Sequence, residues 1–186
     1  MIEKNKHDNL SKDDNMIRRS KIYFYFRRFL KTIYRKFKTK GTGRKIDARY
    51  YYSAYMRHIV CLYECGMTHI PKRVVELGPG DTLGMGICSL LMGTDEYFAF
   101  DIKKHTNVNT NLKILDDLVL LFKNKSDIPN DNEFPGVKPV LNSYSFPEHI
   151  FNDEHLQKFL TDDRINNIRQ ALQKNQEKTK KFLVLN

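Results

Sequence analysis

The stretch RVVELGPGDTLGMG, residues 73–86, restricts the fold more than any other part of the chain. An apolar run rises to a carboxylate at Glu76, breaks at Gly78, Pro79 and Gly80, and resumes as small apolar residues. The first half has the β-branched character of a buried strand, and the second reads as a helix from about Leu83 to Met92. EYFAFD follows as a second strand that ends on Asp101. Strand, glycine turn, helix and strand together make a βαβ unit, which places the chain in the α/β class.

The turn has a chemical reading as well. Gly78 and Gly80 carry no side chains, so the backbone turns sharply there and a ligand can lie against it. The following helix adds amides and a positive dipole end. Asp101 lies 21 positions after Gly80, where an acid at the tip of the next strand accepts hydrogen bonds from ribose hydroxyls. A dinucleotide would rest its pyrophosphate on the turn, but Asp81 sits where phosphates approach and Glu76 sits at the strand's tip. Two acids disfavour an anion and suit a ligand with positive charge. S-adenosyl-L-methionine, with its sulfonium and α-ammonium groups, is such a ligand.

VVELGPGDTLG with YFAFDI resembles the first and second motifs of the class I S-adenosylmethionine-dependent methyltransferases, most nearly bacterial members whose first motif reads ELGPGDSLG. The resemblance is specific over about Arg73 to Asp101 and general elsewhere. It implies a Rossmann-like fold in which Glu76 lies near the methionine end and Gly78 and Gly80 pass beneath the cofactor. On the same resemblance, Asp81 and Thr82 line the loop beside the methionine moiety, and Asp101 holds the ribose. Several such proteins are associated with surface polysaccharides, which makes a glycan or lipid-linked metabolite the expected class of acceptor. The family's sheet has more strands than the 85 residues after Asp101 supply, so the expectation is the N-terminal part of that fold. The chain then reads as a truncated enzyme, or as one completed by a complementary polypeptide or a second copy at the unfinished sheet edge. No residue stands out as catalytic. His105 reads as a surface-loop histidine rather than a base, and His58, His69, His149 and His155 carry no assignment.

The remaining sequence is organised around this unit. Residues 1–15 read as a flexible tail, 16–70 as a basic and aromatic helical segment, and 71–186 as the incomplete cofactor-binding domain. The net charge of +10 resides in the N-terminal segment: twelve Lys and Arg and no acid fall between Asp14 and Asp47. Ile22, Phe26, Phe29, Ile33 and Phe37 recur there at helical spacing opposite the basic residues. Such a helix could cap the sheet, or lie on an anionic membrane surface through residues 16–45. Nucleic-acid binding is the weakest of the three readings. A non-enzymatic remnant acting through this helix is the alternative to methyl transfer.

DARYYYSAYMRHIVCLYECG predicts a second helix between an Asp47 cap and Gly66. NLKILDDLVLLFKN predicts a helix, SDIPNDNEFPGVKP a loop, and TDDRINNIRQALQKN a helix capped by Thr161. KKFLVLN could begin a third strand. No run approaches the roughly 18 apolar residues of a membrane span. Three cysteines without a set of partner ligands read as reduced thiols rather than a metal site. A cytoplasmic protein, peripheral at the inner membrane in the membrane reading, is the resulting expectation.

Overall fold

The computed structural model describes residues 47–101, 106–174 and 182–185. The expected tail, the basic helix and His105 lie outside the described residues.

Helix α1, Ala48–Glu64, starts where the sequence places its cap: the Asp47 carboxylate accepts the Arg49 amide at 2.9 Å. It ends at Cys65. Gly66 turns left-handed at φ 98° and donates to Tyr63 O, while the Met67 amide reaches back to Leu62 O. These two bonds satisfy carbonyls that the last turn would leave bare. Strand β1, Arg73–Leu77, runs parallel to β2, Glu96–Phe100, with Val74 opposite Tyr97 and Glu76 opposite Ala99. Between them lies α2, Gly84–Leu91. The third strand, β3, Phe182–Leu185, pairs antiparallel with β2, so the sheet order is β1-β2-β3. The result is a small α/β domain.

Helix α3, Val108–Lys123, is capped by Asn107, and α5, Asp162–Lys174, begins with the Arg164 amide on Thr161 Oγ1 at 3.3 Å. A short helix between them, α4, Asp153–Phe159, has no counterpart in the sequence reading; the Asn152 side chain caps it. The core forms where α1, α2, α3 and α5 meet, around Tyr52, Met56, Ile87, Leu91, Leu115, Leu118, Phe122 and Ile168. The strands alternate as period two requires. Tyr97 and Ala99 are buried, whereas Val75 and Leu77 are exposed on the opposite face of the sheet.

Residues 124–152 contain neither helix nor strand, yet they are anchored. Their anchor is Arg57 of α1, which has no solvent exposure. Its guanidinium donates to Pro129 O at 2.7 Å, Val137 O at 2.8 Å, Asp131 Oδ1 at 3.1 Å and Ser53 Oγ at 3.0 Å. The Tyr144 ring lies 4.9 Å away, and its hydroxyl donates to the second Asp131 oxygen. That bond, more than the Arg57 charge, holds Asp131 below the usual carboxylate range. A planar fork of donors on one rigid helix thus satisfies the carbonyls of a loop that has no ladder of its own.

Replacing Arg57 with Met should cost about 2 kcal/mol, because Val137 O loses its donor while Pro129 O is left with the Ser53 hydroxyl and Asp131 with the Tyr144 hydroxyl. Urea unfolding of the full chain measures this, and a loss below about 0.5 kcal/mol would show that the loop is held by other contacts.

Candidate functional site

The site is the turn between β1 and α2. Gly78 adopts φ 74° and donates its amide to Phe100 O at 2.8 Å, extending the strand pairing by one residue. Gly80 adopts φ 76°, and its amide donates to Asp101 Oδ2 at 3.2 Å. Both glycines therefore occupy the left-handed region that disfavours side chains. A Cβ at Gly80 would meet nothing within 4 Å, so that side of the turn is open. The structure brings together the glycine turn and the acid that the sequence spacing associates with it.

Glu76 faces inward from β1, on the same side of the sheet as Tyr97 and Ala99. Its carboxylate accepts a hydrogen bond from the Tyr97 hydroxyl. Burial pushes the Glu76 carboxyl above its ordinary range; the Tyr97 bond acts against that rise, and the charge of Asp101 adds to it. Burial also pushes the Tyr97 phenol up, reinforced by the Glu76 charge. Asp81 is exposed, and Thr82 is buried. Burial raises the pKa of the Tyr51 phenol on α1; a hydrogen bond with the Thr82 side chain acts against that rise, and the charges of Glu76 and Asp81 add to it.

Two amides at the start of α2 have side-chain acceptors. The Leu83 amide donates to Asn111 Oδ1 of α3 at 2.9 Å, and the Gly84 amide to Thr82 Oγ1 at 3.5 Å. Asn111 is only 2% exposed, so its carbonyl is a fixture of the interior. The far end of α2 is held as firmly. Arg164 donates to Leu90 O at 2.8 Å and to Thr94 O at 2.6 Å, and His155 Nε2 donates to Met92 O at 3.0 Å. Burial lowers the His155 pKa, in keeping with a neutral ring that packs on Phe151 and Phe159.

Three residues at this site escape the sequence reading: Tyr51, Tyr97 and Asn111. Tyr97 shares the inward face of β2 with Ala99, so alternation alone gives its side; the pairing with Glu76 needs the strand register. Tyr51 and Asn111 arrive from helices whose packing no local pattern encodes. Among the described residues, no group of three or more His, Cys, Asp or Glu is placed to hold a metal ion, and no helix is long and apolar enough to cross a membrane. Cys61, Cys65 and Cys88 are free thiols. Comparison of the chain with protein-family models, curated proteins and solved structures finds no match in any of the three.

The glycines divide by role. At Gly84 a Cβ would lie 2.2 Å from the Tyr51 ring, and at Gly86 2.3 Å from the Tyr97 ring. Gly86→Ala should therefore destabilise by about 3 kcal/mol through overpacking. Gly80→Ala should cost about 1 kcal/mol from its backbone alone. Equal losses in urea titrations would contradict this division.

Glu76 adds a test of its own. Its raised pKa means that the folded chain holds the proton better than the unfolded chain, so its contribution to stability declines as pH rises through both values. Glu76→Gln should match the parent near about pH 3, where both side chains are neutral, and exceed it in stability above the ordinary carboxylate range. Unfolding curves across pH that show no such divergence would place Glu76 in open solvent.

Proposed function

We propose that the chain binds S-adenosyl-L-methionine at the glycine turn and serves methyl transfer, in the manner of the class I methyltransferases that the turn resembles. The carrying observation is the gathering of three acids at a turn whose Leu83 and Gly84 amides already have acceptors. A pyrophosphate is gripped by free amides at a helix N-terminus. Here Asn111 and Thr82 already take the Leu83 and Gly84 amides. Three acids, Glu76, Asp81 and Asp101, belong to the same turn or to the strand tip beside it. This combination favours a cationic adenosyl ligand over a dinucleotide.

The residues fit that ligand. Gly80 leaves open space beside the backbone, and Asp101 has its carboxylate at the turn to meet the ribose. Glu76 and Asp81 offer negative charge for the ammonium group, and Thr82 backs the loop. When bound, the cofactor supplies an activated methyl group on a sulfonium. The protein's share of such a transfer is alignment, charge complementarity and exclusion of water. The acceptor in this proposal is a small molecule or glycan, including lipid-linked forms.

Calorimetric titration of the full chain tests the reading. S-adenosylmethionine should bind more tightly than NAD, and Asp101→Ala should weaken it at least about ten-fold, because hydrogen bonds to a charged group are lost. Asp101→Asn, which keeps an acceptor for the Gly80 amide, should weaken it less. Preference for NAD, or indifference to Asp101→Ala, would sink the proposal.

A further inference from the structure

We propose that Tyr97 is a positioning residue of this site: by donating its hydroxyl to Glu76 from inside the core, it fixes the carboxylate in the orientation and charge state that receive a cationic ligand. The ligand half of this statement rests on the function proposed above; the pairing itself is visible in the structure.

Tyr97 has no solvent exposure, so its hydroxyl has no access to bulk water and needs a protein acceptor. The acceptor it has is Glu76 Oε2. The ring is confined as well, since it lies where a side chain at Gly86 would be, with its atoms 2.3 to 2.5 Å from a Cβ built there. The phenol therefore has little freedom to swing away from the carboxylate.

The other titratable groups facing Glu76 do not share this effect. Asp101, at the end of β2, opposes its ionisation by like charge. Cys88 of α2 is wholly buried, and burial pushes its thiol up, so it stays neutral. Tyr51 of α1 is raised mainly by burial and stays neutral too. Against burial and Asp101, the Tyr97 bond is the interaction that favours the ionised carboxylate. A carboxylate with one oxygen held in this way has a fixed orientation and keeps its charge to lower pH than it would without the bond.

The test uses the full chain with Tyr97→Phe, which keeps the ring against Gly86 and removes only the donor. The side-chain carboxyl of Glu76 is followed by carbon-13 NMR across pH, assigned with Glu76→Gln. Its midpoint should move to higher pH in Tyr97→Phe, and to lower pH when 3-fluorotyrosine, a stronger donor, is installed at position 97. The second variant keeps the measurement decisive if Tyr97→Phe fails to fold. S-adenosylmethionine should bind Tyr97→Phe about ten-fold more weakly near the Glu76 midpoint, with the difference shrinking at higher pH. Methylthioadenosine, which lacks both cationic groups, should bind the two proteins alike.

A Glu76 midpoint that stays put in both variants overturns the pairing. Equal, pH-independent weakening of both ligands would make Tyr97 merely structural and overturn the positioning role. A parent chain that binds no S-adenosylmethionine overturns the ligand half, while the carboxyl titration still decides the pairing.

Discussion

Two glycine–tyrosine contacts set the geometry on which the candidate site depends. Helix α2 approaches α1 and β2 closely because Gly84 and Gly86 present no side chain, and the rings of Tyr51 and Tyr97 fill the space where one would be. Each ring then carries its hydroxyl to the turn, Tyr51 toward Thr82 and Tyr97 onto Glu76. Close packing and site chemistry are therefore carried by the same side chains. A methyl group at either glycine would displace a ring, and with it a polar group of the site. Interiors packed at crystal-like density transmit such displacements instead of absorbing them.

Polar anchors do for the irregular parts of the chain what ladders do for helices and strands. Arg57 gathers the carbonyls of residues 124–152, while Arg164 and His155 close the C-terminal end of α2 and Asn111 closes its start. Each anchor projects from a helix, so it is held by a rigid base. A buried guanidinium loses much hydration, and the arrangement is favourable only because nearly every donor finds an acceptor. Tyr55 is the exception among the buried polar groups: its hydroxyl lies in the core without a hydrogen-bond partner among the described residues.

Much of this fold is legible in the sequence, for reasons specific to each element. Asp47 and Gly66 delimit α1, Thr161 starts α5, and the strand–glycine–helix grammar of residues 73–101 yields β1, the turn, α2 and β2. Helix α4 escapes because seven residues with one buried side chain, Leu156, are too few to establish a period. Arg57 escapes because its partners in the loop lie 72 to 80 positions away and hydropathy assigns an arginine to the surface. In the candidate site, the glycines and acids announce themselves by residue type and spacing. Tyr51, Tyr97 and Asn111 do not, since their places depend on strand register and on how α1 and α3 pack. The bond from the Leu83 amide to Asn111, which bears on ligand choice, is thus a property of the tertiary structure.

The bond from the Gly80 amide to Asp101 has one more consequence. It fastens the tip of the loop to the end of the neighbouring strand, so the left-handed conformation at Gly80 is maintained by the protein itself. A molecule arriving at this turn meets a backbone whose freedom was surrendered when the chain folded. Its association is then relieved of the ordering entropy that a slack glycine loop would impose.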